Sequence, residues 1–423
     1  MVGPQTLRGP RGRSATSRRV AWTVADQAVS GLTNAGTAVL IARSESAASF
    51  GAYGVGFVVY ALALGIVRGM VGQPLAIRES VRTDRDQVCA ALSTAVALGA
   101  AVGVVVVAAG AVVRGDVGGV LLVLGVLLPG LLLQDALRFA LFAHARPARA
   151  VGIDLVWGVG ALALVGGAAA SGASVVVLTG AWAIAGVLSA LVGLGAEHLR
   201  PAWRSAGAFV RRHRDIGPRL TGEYLAHTGS AQLSILVLGA LVGATGVGAI
   251  RGAQTLYGPF LTALTGLVTA AIPEGSRLYA RIPDRLRRGL ASMSGGLCAL
   301  AVGWAAVLLS LPDSWGTAVL GDTWTGARDL LLPIGVACVG YAVASGGEAG
   351  LRITAAAREA LRIRLAVGLL TVGAAVAGGI AGGTEGAVWA LAIGPWATAL
   401  ATWWTLGTVL SRPARRDGLV VTD

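Results

Sequence analysis

The chain has 423 residues, 55% of them hydrophobic and only 13% charged, and its formal net charge is +13. Soluble domains average about 25% charged residues, so the composition excludes a water-soluble globular fold. Lysine is absent and most arginines stand between apolar runs, which reads as membrane topology and excludes a nucleic-acid-binding role.

Residues 1–19 are rich in Pro, Gly and Arg and are expected to form a disordered cytoplasmic tail. The "SRRVAW" that closes this stretch resembles a twin-arginine export signal. However, the apolar run after it is too long for one and contains Asp26. Apolar runs of spanning length follow at 20–42, 50–74, 88–113, 117–140, 150–170 and 175–196. A second set lies at 219–243, 246–272, 290–311, 328–346, 361–381 and 385–410. The expected fold is an all-α polytopic membrane protein of about twelve transmembrane helices. Residues 20–196 make an N-lobe of six, 197–218 a basic cytoplasmic linker, 219–410 a C-lobe of six, and 411–423 a cytoplasmic tail.

Arginines crowd alternate loops: Arg78, Arg82 and Arg85 after the second span, Arg146 and Arg149 after the fourth, and Arg200 to Arg219 after the sixth. The loops between hold only Arg43, Arg114 and Arg328. The positive-inside rule places both termini and the Arg-rich loops in the cytoplasm. Within the linker, Trp203, Ala206, Phe209 and Val210 fall at roughly helical spacing, which suggests an interfacial helix; a solvated basic linker is the alternative.

The first span, "VAWTVADQAVSGLTNAGTAVLIAR", carries an acid where a carboxylate costs about 2.5–3.5 kcal/mol at mid-membrane. Asp26, Ser30, Thr33 and Thr37 follow i, i+4, i+7, i+11 and share one helical face; Gln27 and Asn34 lie beside it. Glu223, His227, Ser230 and Ser234 repeat that spacing 197 residues later. "FGAYG" at Phe50 and "VGAIR" at Val247 keep the offset, as do Tyr60 and Tyr257. The lobes therefore read as parallel repeats related by a pseudo-two-fold axis along the membrane normal. Substrate sites of such proteins lie at the repeat interface, which makes Asp26, Gln27, Ser30, Asn34, Glu223 and His227 candidate cavity walls. For the hydroxyls the alternative is capping of backbone carbonyls within closely packed helices.

Two helices of a hairpin rise equally per residue, so across a turn near Ala47 residues at one depth have numbers summing to roughly 94. Asp26 and Arg68 satisfy this, and the same rule levels Arg138 with Asp154 across the turn near Arg146. Intramembrane charges usually pair. Arg251, near the start of the eighth span, has no such partner and is the freer charge. The three cysteines and four histidines are scattered, with no metal-ligand or catalytic spacing. Together with short outer loops, this excludes a membrane enzyme; no cofactor, metal or catalytic residue is expected.

"ADQAVSGLTNAGTAVLIARSESAASFGAYGVGFVVYALALGIVRGMVGQPLAIR" (Ala25–Arg78) resembles the amino-terminal signature of the polysaccharide-biosynthesis (Wzx-like) flippases of the multidrug/oligosaccharidyl-lipid/polysaccharide (MOP) exporter superfamily. "GEYLAHTGSAQLSILVLGALVGATGVGAIRGAQTLYGPF" (Gly222–Phe260) resembles the start of their second lobe, and "VLGDTWTGARDLLLP" (Val319–Pro333) the loop entering their tenth helix. The resemblance implies a monomeric exporter of the bacterial plasma membrane. It would move a lipid-linked, polyprenyl-diphosphate sugar outward by alternating access, with Arg68 and Arg251 meeting the diphosphate. It also leaves open a MATE-like antiporter of drugs or metabolites, coupled to protons or sodium through Asp26 or Glu223.

Overall fold

A computed structural model of the chain describes residues 10–77, 84–144, 146–200, 205–225, 230–354 and 356–411. The N-lobe is built from α1 (Pro10–Ser44), α2 (Ala47–Val67), α3 (Arg85–Val112), α4 (Gly115–Ala143), α5 (Pro147–Ala170) and α6 (Val175–Ala196). α2 continues through a π-helical turn at Arg68–Gly72 to Ile77. Local chemistry sets the starts: the Ser46 hydroxyl accepts from Ser49 N, the Asp84 carboxylate accepts from Asp86 N, and Pro147 opens α5.

Between the lobes lie α7 (Ala206–Arg212) and α8 (Gly217–Tyr224). The C-lobe follows with α9 (Ser230–Arg281), α10 (Pro283–Leu309), α11 (Asp313–Leu320), α12 (Thr323–Asp329), α13 (Leu331–Ile353) and α14 (Ala357–Ser411). α9 turns at Gly243 (φ 71°), and α14 at Gly382 and Gly383 (φ 58°), where left-handed backbone suits glycine. Among the described residues nine helices are long and apolar enough to cross a membrane. Counting α1 as the first span, and α9 and α14 each as two divided at their glycine turns, gives the twelve expected.

One boundary differs from the sequence reading: α1 begins at Pro10, inside the stretch expected to be a disordered tail. In the 197–218 linker, where Ala206, Phe209 and Val210 stood at helical spacing, α7 is helical and docks on α3. Phe209 is buried there, Thr94 Oγ1 donates to Ala206 O at 3.2 Å, and Arg211 and Arg212 face outward.

α1 packs on α5 and α9, while α2 packs on α4 and α9; α1 and α2 barely touch despite being consecutive. Large apolar side chains such as Val104, Leu369 and Leu400 are at least 70% exposed on the outer faces. That suits hydrocarbon, where helices satisfy their own backbone.

The lobes meet where α2 crosses α9. A Cβ on Gly51 would lie 1.7 Å from Ala244 O, and one on Gly248 2.1 Å from Ala47 O. These contacts are reciprocal, and Gly51 and Gly248, like Ala47 and Ala244, stand 197 residues apart. A two-fold axis between the glycines demands that reciprocity, and only residues without a side chain allow the backbones so close.

Candidate functional site

A cavity of about 410 Å³ opens between α1 and the C-lobe. Its polar lining includes Asn34 from α1 and Gln232, Arg251, Gln254 and Thr255 from α9; Ile235, Leu261 and Val388 supply apolar walls. The volume falls within the roughly 300–1,000 Å³ typical of small-molecule sites.

Arg251 is the charged residue of that lining. Its Cζ stands 3.9 Å from the centroid of the Phe57 ring, so a C-lobe cation rests on an N-lobe aromatic. Phe57 is itself held by Tyr53, Tyr60 and Trp182, with centroids 6.0–6.3 Å away. The Arg251 stem runs over Gly54, whose Cβ would be 3.6 Å from Arg251 Cβ. No carboxylate among the described residues pairs with Arg251, and its buried Nε has no hydrogen-bond partner.

Arg68 has a different environment. Its Nη2 donates to Asp135 Oδ1 at 2.7 Å and its Nε to Asp135 Oδ2 at 2.9 Å, while Nη1 donates to Tyr224 OH at 3.1 Å. The aspartate is on α4, which packs on α2; the tyrosine is on α8, across the lobe boundary. Next to it a Cβ on Gly69 would lie 2.4 Å from Thr221 Cα, so the backbones of α2 and α8 also meet at this Arg-rich end. The π-helical turn at Arg68–Gly72 sits at this contact. Arg138 Nε lies 3.5 Å from Asp154 Oδ2, as the depth rule requires, and Gln134 Nε2 donates to Asp154 Oδ1 at 2.8 Å. Two arginines and two aspartates thus neutralise one another inside the N-lobe.

The polar face of α1 points into that lobe. Ser30, Thr33, Asn34 and Thr37 line a pocket of about 20 Å³ with Asp154, Trp157 and Trp182, room for about one water. Ser30 is therefore placed in the lobe interior rather than on the central cavity, and Asn34 touches both. Gln27 is half-buried and is not among the described residues lining either space. Asp26, Glu223 and His227 have side chains outside the described residues, so the expected Asp26 contact to Arg68 falls outside them too.

Asp135, Gln134, Tyr224 and Phe57 were missed by the sequence reading. Asp135 did leave a signal, being an ionisable residue inside the fourth span. The partnership with Tyr224 left none, because it depends on how the lobes dock.

At the Arg-rich end, outside the spans, Glu197 pairs with Arg146 and with Arg149, the latter at 2.5 Å. Burial acts to raise its pKa, but the Arg149 hydrogen bond and both guanidinium charges prevail and hold it below the usual value. At the opposite end, burial first and the Asp116 charge second push the Glu45 pKa up. Asp116 also accepts from Ser49 Oγ at 2.6 Å.

No family profile matches the sequence, and no curated protein matches it. Solved structures do. An inward-facing multidrug resistance MATE family transporter of the MOP superfamily superposes with TM-score 0.69 at 15% identity, covering 91% of this chain and 96% of that one. An outward-facing MATE family transporter of the same superfamily gives 0.61 at 15% identity, covering 96% and 98%. A MOP superfamily transporter from Pyrococcus furiosus, described as having a binding pocket of reverse polarity that suggests a different function, gives 0.56 at 15% identity over 96% and 99%. The chain has the fold of these transporters, twelve helices in two six-helix lobes.

Proposed function

We propose that this chain exports an anionic, lipid-linked saccharide by alternating access between its lobes. Arg251 carries the reading. It is a guanidinium on the central cavity, resting on an aromatic ring and paired with no carboxylate among the described residues. A desolvated cation repels cationic drugs and gains strongly from a phosphate or carboxylate. The amides and hydroxyls around it suit sugar hydroxyls, and the apolar wall suits the start of a lipid chain. Pocket polarity does vary on this fold, as the reverse-polarity transporter from Pyrococcus furiosus illustrates. The existence of inward- and outward-facing relatives supports rocking of the lobes about the Gly51–Gly248 seam.

A cation-coupled multidrug antiporter is the second reading, favoured by the water-sized pocket that Asp154 and the α1 hydroxyls enclose. In either case we propose protons or sodium as the coupling ion, with Asp26 and Glu223 as the carboxylates tested first. We also propose that the Arg-rich end and both termini face the cytoplasm.

The test is flipping in proteoliposomes of a fluorescent short-chain lipid-linked sugar, read as its protection from a membrane-impermeant quencher. Transport above protein-free vesicles is expected. Export of cationic dyes with no flipping of the sugar lipid would favour the antiporter.

A further inference from the structure

We infer that the substrate group held at Arg251 carries one negative charge, as in a phosphodiester joining sugar to lipid, and not the two of a diphosphate link. This rests on the reading that Arg251 receives the substrate.

The inference follows from counting cations. Two arginines were candidates to meet a diphosphate, and the fold removes one of them. Arg68 gives Nε and Nη2 to Asp135 and Nη1 to Tyr224, so its charge is neutralised and three of its five N–H donors are taken. Among the described residues lining the cavity, Arg251 alone is charged. The pseudo-two-fold supplies no second arginine to match Arg251, since the equivalent position is Gly54. That glycine also packs beside the Arg251 stem, a Cβ there standing 3.6 Å from Arg251 Cβ and 3.1 Å from Val247 Cγ1.

One guanidinium matches one phosphate. Its face is covered by the Phe57 ring, which leaves the N–H edge to grip a single group with two parallel hydrogen bonds. A second phosphate would lie against Asn34, Gln232, Gln254 or Thr255. These can hydrogen-bond but not neutralise it, and an uncompensated charge in a poorly hydrated site is costly.

The experiment measures binding to the purified full chain of three probes with one tail and one sugar: citronellyl phosphoryl glucose, citronellyl diphosphoryl glucose and neutral citronellyl glucoside. A cationic citronellyl trimethylammonium serves as the fourth. The phosphodiester is expected to bind about tenfold tighter than any of the others, and Arg251→Gln to erase that preference. Arg251→Lys, which keeps the charge but loses the fork, should retain it in weakened form. A diphosphate probe that binds as tightly as the phosphodiester, or tighter, and depends on Arg251 overturns the single-charge inference and leaves the anion reading standing. Preference for the neutral or cationic probe, or binding of none, overturns both. The wild-type series decides between these outcomes even if a variant fails to fold.

Discussion

Arg68 and Asp135 are joined by two parallel hydrogen bonds of 2.7 and 2.9 Å between neighbouring helices of the N-lobe. The arginine, a candidate for the substrate, is thereby neutralised within the lobe, and Arg138 Nη1 stands a further 3.4 Å from Asp135 Oδ1. Taking either charge away leaves the other buried and unbalanced, which typically costs about 3–5 kcal/mol. Asp135→Asn and Arg68→Gln should each lower thermal stability steeply. The double apolar replacement Arg68→Met with Asp135→Leu should recover most of the loss. Unfolding in detergent, arranged as a double-mutant cycle, measures the coupling; additive losses would contradict it.

The third donor of Arg68 reaches Tyr224 on α8, the helix that lies between the lobes. Tyr224→Phe removes only the hydroxyl, and a hydrogen bond to a charged group contributes about 1.5–3 kcal/mol. The expected result is a loosened Arg-rich end. In a background without Cys89, Cys298 and Cys338, a reporter at Thr221→Cys should react faster with a polar thiol reagent once Tyr224 is Phe. Unchanged labelling would show that the bond does not hold the lobes.

The glycine seam makes a symmetric prediction. Gly51→Val and Gly248→Val insert atoms into two-fold-related contacts with Ala244 and Ala47, so their effects should match. Overpacking of this kind costs about 1–3 kcal/mol, and transport should fall in both. Gly303→Val, with open space around its Cβ, is the control that should keep activity. Transport rates and membrane expression check all three.

Acid should act differently at the two ends. Glu197 has a lowered pKa, so its stabilising contribution is present above the unfolded value near 4.5 and is lost as pH falls below it. Glu45 has a raised pKa, so the folded chain takes up that proton more readily and acid favours folding at this site. Melting temperature followed from pH 5 to 3, roughly the carboxylate range, should fall less in Glu197→Gln than in wild type. In Glu45→Gln it should fall more.

Much of the architecture was legible because hydropathy and polar spacing are local properties. The apolar runs marked the spans, and the 197-residue offset located a two-fold that Gly51 and Gly248 display in their contacts. The depth rule found Arg138 beside Asp154 because α4 and α5 are a true hairpin whose ends stay close. For Arg68 it gave no sign of Asp135, a partner that α4 supplies because α2 leans on α4 and α9. Depth follows from chain length, whereas the facing neighbour is decided by packing across the whole lobe. The same limit applies to Ser30, Thr33 and Thr37. Their shared face was readable, but the face alone did not say whether it met the lobe interior or the cavity. Phe57 escaped because it is apolar, and nothing local tells a lipid-facing aromatic from one that supports a cation.

The most direct test of Arg251 as the anion-recognising group is charge reversal. Arg251→Glu, reconstituted in proteoliposomes beside wild type, is assayed with a singly charged anionic sugar lipid and with a cationic amphiphile of equal size. Wild type should transport the anion and the variant should lose it while gaining the cation, because specificity of this kind rests on repulsion as well as attraction. Undiminished anion transport by Arg251→Glu would contradict the account.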